Sequence, residues 1–180
     1  MIRFSKLSEI HLEKVLDWRT SEDITRYMFT DLIPDIDKHK EWYKKVSQDP
    51  TSQYWIIEIN NKPSGLISLN KMDFHNRHSV WGYYVGEEDA RKLGGGIFPP
   101  YFYNYVFANT PFIKLTAEVM EGNDRVCDMH EFHGYRKAGT LKQHIFKYNR
   151  FHDLYLFELL RDDWLKQSDQ YGHFMAEFEE

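Results

Sequence analysis

The stretch Arg91-Lys92-Leu93-Gly94-Gly95-Gly96 constrains this chain more than any other. Glycine disfavours both helix and strand interiors, so three in a row need a local reason. The run follows "SVWGYYVG", whose alternation reads as a strand, and precedes "IFPPYFYNYVF", which reads as a helix from about Gly95 to Ala108. A strand–glycine–helix passage gathers backbone N–H groups at the positive end of a helix dipole and lets an anion come close to them. A phosphate or pyrophosphate suits that place; the plain alternative is a flexible turn. The spacing is neither G-x-x-x-x-G-K-[ST] nor G-x-G-x-x-G followed by an acidic residue, so neither a P-loop nor a dinucleotide fingerprint is present. The pattern that fits is [R/Q]-x-x-G-x-[G/A] directly after a strand.

The elements around the loop supply a context. "IRFSKL" alternates like a half-buried strand, and Ser8 introduces a helical region that breaks near Ser21. "PDIDKHKEWYKKVSQD" reads as a second helix started by Asp35 or Asp37. "SQYWIIEI", "LISLNKMDF" and "SVWGYYVG" read as an antiparallel meander, with the turn "NNKPSG" between the first two. After the glycine helix come a buried strand, "FIKLTAEVM", a short helix closed by Gly134, and a hairpin, "YRKAGTLKQHIFKYNR" with "FHDLYLFELL". A strand–helix–strand unit in the second half implies a parallel pair within a mixed sheet. The expected fold class is therefore α/β (α+β): a mixed, mostly antiparallel sheet of about seven strands flanked by helices. A length of 180 residues suits one domain, taken as residues 1–165, followed by an acidic tail, 166–180, read as disordered or packed on a partner chain.

Several classes are disfavoured. The net charge of −5 gives no overall attraction to nucleic acid. No apolar run approaches a membrane span and the N-terminus lacks an apolar leader, so neither membrane nor secretion is expected. The single cysteine, Cys127, fits a reducing cytoplasm. Cys127, His130 and His133 follow a C-x-x-H-x-x-H spacing, but His133 drifts off the face shared by the other two, and no metal is expected.

The loop, set in this order of elements, resembles the GNAT N-acetyltransferases. The segments "WGYYVGE", "LTAEVMEGN", "HEFHGYRKAGTL" and "DLYLFELLRDDW" resemble the branch of that family which acetylates the 4-amino group of a UDP-linked 4-amino-4,6-dideoxy sugar in pseudaminic acid biosynthesis. The likeness spans about residues 1 to 165. It implies acetyl-CoA as co-substrate, with Arg91, Lys92, Leu93, Gly94, Gly95 and Gly96 around its pyrophosphate. Tyr84 and Val85 lend backbone to the pantetheine arm, and Asn123 caps the next helix or bonds that arm. Glu118 is implied as the base that deprotonates the amine. His130, twelve residues on, stands where relatives carry the tyrosine that protonates the CoA thiolate. On the acceptor side, Arg19 is expected to pair with a diphosphate and Met28 to meet the sugar's methyl group. Trp81 and Tyr83, on one face of their strand, are also expected to bind substrate. Pro99 and Pro100 depart from the smooth loop–helix passage and predict a distorted first turn. Two rivals stand beside this reading: acetylation of a protein N-terminus, and a non-catalytic acyl-CoA-binding module. A homodimer is left open.

Overall fold

A computed structural model describes residues 1–179. β1 (Ile2–Lys6) leads through a 3-10 turn into α1 (Leu12–Thr20), α2 (Glu22–Thr25) and α3 (Ile36–Val46); β2 (Gln53–Ile59), β3 (Lys62–Asp73) and β4 (His78–Val85) then form the meander. α4 (Glu88–Lys92), a 3-10 turn at Gly95–Ile97 and α5 (Pro99–Asn109) connect to β5 (Lys114–Met120). α6 (Asp124–Phe132) precedes the hairpin β6 (Arg136–Lys147) and β7 (Arg150–Leu160), and α7 (Arg161–Leu165), α8 (Ser168–Tyr171) and β8 (Glu177–Phe178) follow. The strands make one sheet in the order β6-β7-β5-β4-β3-β2-β1-β8. Among the described residues only β4–β5 and β1–β8 pair in parallel.

Helices cover both faces, and β2 shows why. Trp55, Ile56 and Ile57 are consecutive and all fully buried, which needs cover above and below the sheet. Trp55 and Ile57 join the larger core with Phe102, Tyr103 and Val106 of α5. Ile56 points the other way, into a smaller core with Leu12, Val15 and Trp18 of α1. The β2–β3 turn is tight because Asn60 and Asn61 both adopt positive φ, 50° and 62°, a conformation asparagine tolerates better than most residues. α3 begins where Asp35 accepts the amides of Asp37 and Lys38, both at 3.1 Å.

Three expectations are corrected. The glycine helix starts at Pro99 rather than Gly95, and Pro99 and Pro100 occupy its first two positions, where no intrahelical donor is missed. α4, a one-turn helix, separates β4 from the glycines. Residues 166–179 pack on this chain: beyond the helical turn expected there, which is α8, β8 adds an eighth strand beside β1, and Phe178 stacks on Phe4 and Tyr105 with centroids 4.1 and 4.0 Å apart.

Candidate active site

The parallel pair β4–β5 is short. His78, Ser79 and Val80 pair with Lys114, Leu115 and Thr116, and the ladder ends there although β4 runs on to Val85 and β5 to Met120. Beyond Val80 the strands diverge, so the β4 edge from Trp81 to Val85, including the Tyr84 and Val85 backbone, is not paired with β5. An extended ligand arm can lie along such an edge as an added strand does.

The glycine loop stands at the end of this opening. Gly94 holds φ +91°, where a side chain would be strained. Its amide bonds Arg91 O at 3.0 Å, and the Ile97 amide returns to Gly94 O at 3.2 Å. Outside the helices and strands the Gly95 and Gly96 amides make no backbone hydrogen bond among the described residues. Pro99 and Pro100 carry no N–H, so the first turn of α5 offers fewer donors to an anion than an ordinary helix start, and the glycine amides could supply them. Tyr83 anchors the loop: its hydroxyl donates to Gly95 O at 3.2 Å and approaches Met129 Sδ at 2.9 Å. A cavity of about 530 Å³ opens between the three glycines, α6 and the segment around Tyr171. A strand edge not paired with β5 and ending at a glycine loop beside a cavity could hold the pantetheine arm and pyrophosphate of acetyl-CoA.

The residues expected on the acceptor side lie on the opposite face of the sheet. Thr116 pairs with Val80, so Glu118 and Gly82 share that face, across the divergence. A Cβ on Gly82 would meet nothing within 4 Å, which leaves room beside the Glu118 carboxylate. Glu118 is paired with Lys71 Nζ at 3.4 Å and its side chain is 26% exposed. Around this face three buried polar atoms have no hydrogen-bond partner among the described residues: Arg19 Nη1, Tyr84 Oη and His39 Nε2. They share one electrostatic neighbourhood. Burial lowers the Arg19 pKa while Tyr84 and Asp31 oppose it; burial raises Tyr84 against the pull of Arg19; burial and then Arg19 lower His39. The other Arg19 nitrogen donates to Thr30 O at 3.1 Å. Met28 is half-buried in the same loop, and Lys147, reaching over from the end of β6, pins that loop through Thr25 O at 2.5 Å, Met28 O at 2.8 Å and Asp31 at 2.8 Å.

Several expected site residues lie elsewhere. Arg91 folds back onto Gly86 O at 2.6 Å and Asp23 at 3.1 Å, and Lys92 pairs with Glu88 and Asp89, so neither side chain turns to the glycine amides. The Leu93 side chain is exposed. Asn123 precedes α6 without a side-chain capping bond. Trp81 and Tyr83 face the larger core, because strand alternation sends Val80, Gly82 and Tyr84 to the acceptor side. Trp81 packs against Tyr83, Phe102 and Tyr103 and is 3% exposed. His130 sits in the same core, 3% exposed, with its ring against Trp81, Tyr135 and Phe157. Burial, reinforced by neighbouring His133, pulls its pKa down to about 3, so near neutral pH it carries no imidazolium proton to give. His39, Lys147 and Tyr171 were not foreseen, since their partners are distant in sequence and no local spacing marks them.

Among the described residues no group of three His, Cys, Asp or Glu side chains could hold a metal ion, and no helix is long and apolar enough to cross a membrane. The acetyltransferase (GNAT) domain family matches residues 5–156. Acetyltransferase PseH of Campylobacter jejuni is 24% identical over 128 residues, covering 71% of this chain and 78% of that protein. Spermidine N-acetyltransferase of Vibrio cholerae, solved with CoA and spermine, superposes with a TM-score of 0.85 at 18% identity over 91% of this chain and 98% of its own. A dodecameric structure of that enzyme in an intermediate state superposes at 0.78 with 18% identity, over 93% and 97% of the two chains. With a diverging parallel pair, a glycine loop at its end and a family match across most of its length, this chain belongs to the GNAT acetyltransferases and takes its acetyl group from acetyl-CoA.

Proposed function

We propose that the acceptor is the 4-amino group of a UDP-linked 4-amino-4,6-dideoxy sugar. The observation that carries this is the half-buried Arg19 guanidinium, whose buried Nη1 has no hydrogen-bond partner among the described residues, in the same electrostatic neighbourhood as the unpartnered Tyr84 hydroxyl and His39 Nε2. Such a cluster of a cation and neutral polar groups is suited to phosphate oxygens. A polyamine, the substrate of the Vibrio enzyme, brings several positive charges and would be repelled by the same guanidinium. The likeness to acetyltransferase PseH, together with the resemblance of "LTAEVMEGN" and "HEFHGYRKAGTL" to the sugar-nucleotide branch of the family, supports the same choice. Met28, in the loop beside Arg19, is the apolar surface available to the sugar's methyl group.

In this reading acetyl-CoA supplies the acetyl group as an activated thioester, and the chain's own residues orient and handle protons. Glu118, accessible beside the open space at Gly82, receives the amine proton directly or through water as the nitrogen forms its bond to the acetyl carbon; the C–S bond breaks and the leaving thiolate takes its proton from solvent. The free β4 edge fixes the direction of approach. His130 is left as a packing residue, so His130→Phe retains turnover across the pH range. The test is thiol release with the UDP-4-amino sugar, with spermidine and with a peptide bearing a free N-terminus. Turnover restricted to the sugar nucleotide, and a KM for it raised tenfold or more by Arg19→Met at unchanged acetyl-CoA affinity, supports the assignment. Preference for spermidine or peptide overturns it.

A further inference from the structure

We propose that the segment after β7 completes the cofactor site, and that the adenine ring of acetyl-CoA lies between Phe132 and Phe174. The inference rests on the assignment of the glycine loop to the pyrophosphate. The cavity beside Gly94–Gly96 is walled at its far side by Phe132, Tyr171 and Phe174. Phe132, at the end of α6, is 70% exposed. A large aromatic ring held in water next to a cavity is a platform for a flat ligand, and the nucleobase is the flat part of a CoA thioester. Arg125, exposed on α6 at the same cavity, adds a cation on the nucleotide side.

The opposite wall is built, not loosely draped. Asn104 of α5 donates to both Tyr171 O and Phe174 O at 2.9 Å, and its own oxygen accepts from Trp164 Nε1 at 2.8 Å. Gln167 donates to His133 O at 3.2 Å, which ties the segment to the end of α6. Trp164 stacks on Tyr171 at 4.9 Å, and Phe174 meets Tyr101 edge-on at 5.1 Å. Farther along, β8 is fixed to β1 and the Trp55 indole donates to Glu179 O at 2.9 Å. One segment is thus anchored on both sides of the residues it lends to the cavity, and one of its anchors lies on the helix that carries Phe132.

The test is calorimetric titration of the full chain and of Phe132→Ala and Phe174→Ala with CoA and with S-acetylpantetheine, which lacks the nucleotide. Loss of one base–aromatic contact is expected to weaken CoA binding roughly 5- to 100-fold, on the scale of measured base stacking, while the S-acetylpantetheine Kd stays at its wild-type value. Phe174→Trp retains CoA binding. Unchanged CoA affinity in both alanine variants, or equal losses for both ligands, overturns the inference. Phe132 is exposed, so its variant carries the test even if Phe174→Ala unfolds. A wild-type chain that does not bind CoA removes the glycine-loop assignment itself, a result distinct from wild-type binding that the variants leave untouched.

Discussion

Lowering the pH from 7 to 5 removes several kcal/mol of stability through two histidines alone. His130 and His133 are 3% and 2% exposed, and burial pulls their pKa values to about 3 and about 4. His133 is weakly supported by the Gly96 backbone, and the Nδ1 atoms of both rings lack a hydrogen-bond partner among the described residues. In the unfolded chain each ring takes up a proton as the pH falls below about 6.5. In the folded chain neither does so until the pH approaches 4. The unfolded state therefore binds more protons across this window, and stability falls as the pH drops through it. At about 1.4 kcal/mol per pH unit, each ring loses nearly 2 kcal/mol between pH 7 and pH 5, and the pair about 3.5 kcal/mol. That is a large share of the roughly 5–15 kcal/mol that holds a domain together. Urea unfolding of wild type and His130→Phe at both pH values measures it. Phenylalanine fits an aromatic site among Trp81, Tyr135 and Phe157 and cannot titrate, so the variant's pH-dependent loss is smaller by about 2 kcal/mol. Carboxylates and other histidines contribute equally to both proteins and cancel in the comparison. Equal losses in the two proteins would refute the claim that the folded core keeps His130 neutral.

Other sites give sharper expectations. Glu118→Gln keeps the fold and the Kd for acetyl-CoA but lowers kcat on the amine about 10²- to 10⁴-fold near neutral pH, with partial recovery at high pH where the amine is already neutral; thiol-release kinetics against pH read this out. Lys147→Met strands the Thr25 and Met28 carbonyls that the ammonium now holds, costs roughly 2–4 kcal/mol in urea unfolding, and raises the acceptor KM by freeing the loop beside Arg19. Gly94→Ala meets no steric obstacle but forces a side chain to φ +91°; it lowers stability by about 1–3 kcal/mol in the same assay and weakens acetyl-CoA binding in calorimetry.

The parts of the fold legible in the sequence are those decided locally. The β-rich runs "SQYWIIEI" and "SVWGYYVG", the Asn60-Asn61 turn, the Asp35 start of α3 and the Gly134 end of α6 each depend on a few adjacent residues. The passage through the glycines was read too simply, because Glu88–Lys92 carries no apolar stripe to announce a helix and the prolines mark a start rather than a disruption. Sequence alternation shows that Trp81 and Tyr83 share a face but cannot say which layer covers it; the packing of α5 and α6 decides that. Arg91 resembles a phosphate ligand until its partners Gly86 O and Asp23 are known. The folded tail was illegible for the plainest reason: a two-residue strand has no periodicity, and its partners lie at the other end of the chain.

That last pairing sets an order of events during synthesis. Phe178 stacks on Phe4, and the Lys6 amide donates to Glu179 at 2.9 Å, so the outer edge of the sheet waits for almost the whole chain. While residues 165–179 are still inside the ribosomal tunnel, β1 lacks its neighbour and α5 lacks the cover that Tyr171 and Phe174 provide. The emerging chain thus exposes an open strand edge and an aromatic surface until residues 171–179 have left the tunnel. A substitution such as Phe178→Ala, which removes the ring stacked on Phe4, interferes at that step before any effect on the finished enzyme.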